Sequence, residues 1–188
     1  FEYFRPPLST TEPNVEARDV RVIANVFGNA VTPFAFVGAV DCLVAQNTIV
    51  GDDLNWLFRI LQETTSTPEY EFLETQRCRV IGNVFRFDRG ALSTYVNIGA
   101  NTEGESFEIA NNLWYAPDDP GQSEPTGLPV AETDGIYGQE PFADSGAAPG
   151  ITAPSPCVGA SRPVTGVDGD FDGRCYADPP AIGAFAGP

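Results

Sequence analysis

With neither a histidine nor a lysine in its 188 residues, the chain cannot build a Ser-His-Asp or Cys-His nucleophile or a lysine base. Carboxylates, arginine, tyrosine and metal-bound water remain. Arg59 stands between Phe58 and Ile60, so strand alternation turns it outward while its neighbours turn inward. Asn97, between Val96 and Ile98, repeats that pattern further on. Loops before these segments carry Asp52, Asp53, Asp88 and Arg89, which with Arg59 are the candidate catalytic residues. The plainer reading makes the aspartates turn residues that pair with Arg59 and have lowered pKa values. Asp168, Asp170, Asp172 and Gly173 have the D-x-D-x-D-G start of a calcium loop, making them candidate metal ligands and Ca²⁺ the candidate cofactor. The bidentate glutamate of an EF-hand is replaced by Pro179, so an EF-hand is excluded. Trp56, Tyr95, Tyr115 and Tyr137 are candidates for stacking on sugars, with Trp56 and Trp114 also expected inside or at an edge.

Charge narrows the partners. All 10 basic residues are arginine and the net charge is −16. Such a surface repels nucleic-acid phosphates and anionic lipid. No apolar run reaches the roughly 20 residues of a membrane helix. Apolar residues at 42% and charged residues at 19% describe a globular domain. A start at Phe1, without Met or a charged-then-apolar leader, reads as a processed product or a fragment.

The elements that must position these residues come from a phrase written four times: VIANVF at 22–27, VAQNTI at 44–49, VIGNVF at 80–85 and IANNLW at 109–114. Aligned on Asn25, Asn47, Asn83 and Asn112, the columns agree without gaps. Val22, Val44, Val80 and Ile109 form one column, and Phe27, Ile49, Phe85 and Trp114 another. A third holds Val20, Cys42, Cys78 and Phe107. Each phrase is therefore two short strands with inward apolar faces, joined at an asparagine bend. Asparagine suits a left-handed bend, and stacked copies can bond into a ladder. A further strand is expected at 33–38, 56–62 and 93–100. The asparagine spacings of 22, 36 and 29 residues describe a fixed unit with loop insertions, the longest at 63–76. An antiparallel sandwich also alternates strands and loops, but it does not explain matched columns.

This bend between short strands resembles right-handed parallel β-helix repeat proteins of the pectate-lyase-like superfamily. The ending DFDGRCYADPPAIGAFAG at 170–187 is similar to the DFDGxPRP…DIGAFE tail of bacterial secreted members, with Cys175 and Tyr176 in place of the usual Pro-Arg and Ala186 in place of the last acid. The resemblance implies an all-β, right-handed parallel β-helix of about three to four coils over 1–115. It also implies a bacterial extracellular or cell-surface location, and a groove along the outer face where an arginine base and calcium carboxylates serve. No lyase or hydrolase signature string accompanies it.

From Ala116 the chain is rich in Pro, Gly, Ser and Ala, so 116–188 is expected to be an irregular cap rather than further coils. A Cys157–Cys175 disulfide would close an 18-residue separation, contributing roughly 3 kcal/mol. Cys42 and Cys78 are read as a buried thiol stack or a bridge. Together these point to a non-catalytic, carbohydrate-associated or structural module. A polysaccharide lyase or hydrolase is the second reading. An assembly subunit, stacking through the open N-terminal coil end on another copy or an upstream domain, is the third. In that reading Phe1, Tyr3 and Phe4 are covered.

Overall fold

The computed structural model describes residues 7–142, 150–151 and 154–187. The expectation for Phe1, Tyr3 and Phe4 lies outside the described residues. The first repeat supplies β1 (Ala17–Arg18), β2 (Arg21–Ile23), β3 (Val26–Gly28) and β4 (Ala35–Val37). The second supplies β5 (Ala39–Val40), β6 (Leu43–Ala45), β7 (Thr48–Gly51) and β8 (Phe58–Leu61). The third supplies β9 (Thr75–Gln76), β10 (Arg79–Ile81), β11 (Val84–Phe87) and β12 (Val96–Ile98). Then come β13 (Thr102–Glu103), β14 (Glu108–Ala110), β15 (Leu113–Tyr115) and β16 (Ile136–Tyr137). Through β15, every fourth strand joins the same sheet, giving four separate sheets: β1-β5-β9-β13, β2-β6-β10-β14, β3-β7-β11-β15-β16 and β4-β8-β12. All pairings between these strands are parallel. The chain is thus all-β, and the antiparallel sandwich is excluded.

The sequence columns are the strand registers. Val22 pairs with Val44, Val44 with Val80, and Val80 with Ile109. Phe27 pairs with Ile49, Ile49 with Phe85, and Phe85 with Trp114. These side chains meet in one core with Phe36, Phe58 and Ile60. The rings of Phe85 and Trp114 stack at 4.1 Å. Each large side chain buried here contributes roughly 1.5–3 kcal/mol.

The bend differs from expectation in one respect. The left-handed residue is the one before each asparagine: Ala24, Gln46, Gly82 and Asn111, with φ of 52°, 53°, 67° and 52°. The asparagines are needed instead for their side chains. Asn47, Asn83 and Asn112 are fully buried, and buried amides require partners. The backbone N–H and Nδ2 of Asn25 both donate to Asn47 Oδ1, at 2.9 and 3.2 Å. Asn47 donates in the same way to Asn83, and Asn83 to Asn112.

Past Ala116 the structure corrects the expectation of cap alone. Thr133 bridges Ala110 in parallel, and β16 pairs Ile136 with Leu113 and Tyr137 with Trp114. ETDGIY at 132–137 is therefore a fifth, partial copy of the phrase. Gly135 holds the asparagine place because a Cβ there would lie 2.7 Å from Glu132 Oε2. Glu132 Oε1 takes over, accepting from the N–H and Nδ2 of Asn112 at 2.9 and 2.8 Å. Leu128 and Val130 pack against the core.

The remainder of the tail covers outer sheet faces. Ile151, Cys157, Ala181 and Ile182 pack with Val84 and Leu113, and Val164 packs with Leu43 and Ile81. All four cysteines are free, so the Cys157–Cys175 disulfide is not formed. Cys157 belongs to the buried apolar contact just described, while Cys175 is exposed. Cys42 and Cys78 form the thiol stack, with Cys42 N–H donating to Cys78 Sγ at 3.4 Å. Burial pushes the Cys78 and Cys157 thiols up to about 12.

Candidate functional site

The tail leaves the β4-β8-β12 sheet outside its described apolar contacts. On this sheet Phe58 and Ile60 are buried while Arg59 between them is only partly so. Register places Ala35 on one side of Arg59 and Asn97 on the other, as alternation predicts. Arg59 Nε donates to Asn97 Oδ1 at 3.0 Å, and the guanidinium lies 4.5 Å from the centre of the Trp56 ring. Among the described residues Arg59 makes no ion pair with Asp52, Asp53 or Asp88, which corrects the turn-aspartate pairing. The planar cation stacks on the indole instead, an arrangement contributing ~0.5–1 kcal/mol at an exposed site. Where the chain leaves β8 and β12, a polar cavity of about 190 Å³ is lined by Gln62, Thr64, Ser66, Glu74 and Asn101.

The acidic candidates lie elsewhere and do other work. Asp52 and Asp53 are exposed after β7. Asp88 follows β11 and faces Asp118, which the sequence reading missed. Asp118 Oδ1 accepts the Arg89 N–H and its Oδ2 the Gly90 N–H, at 2.8 and 2.9 Å. Asp88 is raised above the ordinary carboxylate range, chiefly by its hydrogen bond to Asp118, so the expected lowering by arginine does not occur. Asp118 is lowered to about 2: the backbone N–H of Arg89 and the other hydrogen bonds to it outweigh desolvation, the largest single cause. The signal for Asp118 was extension of the aligned phrases, since the loop after the fourth copy carries acids like those after the second and third. Arg89 is committed to Tyr95, with its guanidinium 4.7 Å from the ring centre and Nε donating to the hydroxyl at 3.0 Å.

The calcium candidates form a backbone clasp. Asp170 is 8% exposed. Its Oδ1 accepts the N–H groups of Asp172 and Arg174 at 3.0 and 2.7 Å, and its Oδ2 that of Ala186 at 2.9 Å. Desolvation opposes its charge, but these donors outweigh it and hold the carboxyl below its ordinary value. Asp168 and Asp172 are exposed. Among the described residues no group of three or more carboxylate or cysteine side chains is placed to hold a metal ion.

No family model, curated protein or solved structure matches the chain. Any functional assignment rests on its own geometry. Of the aromatic candidates, Tyr95 and Trp114 are buried, and Tyr137 donates to Glu132 Oε2 at 3.2 Å. Trp56 is partly exposed beside Arg59.

Glu132 was also missed. It is held by Asn112, Trp114 Nε1 at 2.5 Å and Tyr137, and burial raises its pKa. Its role is to end the ladder. Its signal was the glycine in ETDGIY at the asparagine position.

Proposed function

We propose that the chain is a right-handed parallel β-helix module, extracellular or at a bacterial cell surface, that binds polysaccharide without cleaving it. Two observations support the coil, four sheets that each take every fourth strand and the continuous asparagine ladder, and the rarity of left-handed crossovers between parallel strands favours the right hand. The observation that carries the binding role is the Trp56–Arg59–Asn97 row, on a face that the described tail residues leave out of their apolar contacts. An indole edge, a fixed guanidinium and an amide offer a sugar both an apolar surface and directed donors, and the Gln62–Asn101 cavity extends the row with amides, hydroxyls and the Glu74 carboxylate. The net charge of −16 favours neutral over anionic chains.

Cleavage fits the geometry less well. A hydrolase aims two carboxyls roughly 5–10 Å apart at the scissile bond, whereas Asp88 and Asp118 both accept the Gly90 N–H. Arg59 is engaged by Trp56 and Asn97 rather than beside a carboxylate that would take part in proton transfer.

Affinity electrophoresis against neutral glycans, pectate and alginate tests the reading, together with assays of unsaturated uronates and reducing ends, with and without Ca²⁺. Retardation by a neutral glycan that Trp56→Ala abolishes, with no products released, is the expected result. Turnover lost in Arg59→Ala would replace the binding module with a lyase or hydrolase. Absence of binding to every polymer would remove the carbohydrate role.

A further inference from the structure

The asparagine ladder has a direction. Every Oδ1 from Asn47 to Asn112 receives two N–H groups from the preceding asparagine. Asn25 begins the series, is exposed, and has no donor to its Oδ1 among the described residues. At the same end β1, β2, β3 and β4 are all edge strands. Between them opens an apolar cavity of about 140 Å³ lined by Val20, Val22, Phe34, Phe36 and Val44. The other end of the ladder is closed, because Glu132 accepts both donors of Asn112.

From this polarity we infer that the open end docks one extended segment of a partner chain, in parallel with β2 and β3. The segment carries an asparagine between apolar strand residues. Its asparagine N–H and amide donate to Asn25 Oδ1 while its inward side chains fill the Val22–Phe36 cavity. Strand addition of this kind takes affinity from main-chain bonds and specificity from alternate side chains. A second folded copy does not meet the requirement. Its ladder donors are already spent, from Asn25 onto Asn47 through to Asn112 onto Glu132. Residues 1–6, FEYFRP, contain no asparagine or glutamine. Glu132 caps the ladder at its far end, so an asparagine segment can extend the ladder at the Asn25 end alone and the arrangement does not propagate into a filament.

The test uses the full chain and a fluorescein-labelled peptide with the sequence of residues 17–29, ARDVRVIANVFGN. Anisotropy should show saturable binding, weakened by about tenfold when the peptide asparagine is replaced by leucine, the loss expected for one to two hydrogen bonds. Binding should also slow amide exchange in β2 and β3. Val20→Glu, at a position 49% exposed, should fold normally and lose the peptide while keeping glycan retardation. That separates this inference from the carbohydrate reading. Equal binding of the asparagine and leucine peptides would show apolar adhesion only and overturn the proposal, as would no binding. A concentration-dependent dimer in sedimentation that excludes the peptide would make a second copy the occupant and also overturn it.

Discussion

From Asn25 to Glu132 the buried asparagines are satisfied by repetition, whereas from Ser155 to Ala186 buried polar groups are satisfied one at a time. In the repeats each asparagine serves the one before it, and its Nδ2 also reaches a carbonyl, as Asn83 does to Val44 O at 3.0 Å. In the tail a single carboxylate, Asp170, holds three backbone N–H groups. A ladder spreads the damage of one substitution to two neighbours. A clasp concentrates a segment on one side chain.

The largest expected effect comes from the middle of the ladder. Asn83→Ala removes the acceptor shared by both Asn47 donors and the side-chain donors to Asn112 Oδ1 and Val44 O, leaving only the backbone N–H of residue 83 on Asn112. Orphaned buried groups cost about 1–3 kcal/mol each and do not add fully, so a loss of about 4 kcal/mol is expected from urea unfolding. Asn25→Ala at the exposed end should cost below about 1 kcal/mol. Equal losses at both positions would show that the ladder has no interior.

Asp170→Ala should cost about 2 kcal/mol, confined to the tail, through orphaned N–H groups. Trypsin should then cleave rapidly after Arg174 while the sheet signal in circular dichroism persists. Simultaneous loss of both would show that clasp and ladder form a single cooperative unit.

Acid should separate the two regions by sign. The Asp170 pKa is lowered, so its stabilisation is complete above the unfolded value and is lost as pH falls through the folded one. That window lies below about pH 4. The Glu132 pKa is raised, so its contribution grows as pH falls through the folded value and is complete below the unfolded one. The near-ultraviolet circular dichroism signal lost from the tail in acid should therefore return at neutral pH, and should not vary over this window in Asp170→Asn. Acid release of the ladder before the tail would reverse this assignment.

The smallest effect concerns the thiols. Cys175 should react with a thiol reagent at once, while Cys42, Cys78 and Cys157 wait for unfolding, as their burial requires. Cys175→Ser should change stability by no more than about 0.5 kcal/mol. A drop of several kcal/mol would reinstate the disulfide.

The columns were legible because a period of two survives any loop length, and Val22, Val44, Val80 and Ile109 fall into register as read. The strands β1, β5, β9 and β13 were not, since two residues cannot display alternation. Arg59 beside Asn97 followed from the same alternation. The Trp56 stack did not, because a loop residue has no period to fix its side. Glu132 was obscured by its charge: acids are rarely buried, and only the glycine three residues later revealed that the ladder needed a different acceptor.

The tail also sets an order of events. Gly183 N–H donates to Gly82 O, and Ala184 N–H donates to Thr48 Oγ1 across 136 residues of chain. During synthesis the second and third repeats leave the ribosome long before the residues that cover their outer faces. Until those residues arrive, Val84 and Leu113 lack the apolar cover of Ile182 and Cys157. Contacts so distant in sequence form late and slowly. The nascent protein therefore passes through an interval with an exposed apolar sheet, when a chaperone or a neighbouring chain can compete with its own C-terminal residues.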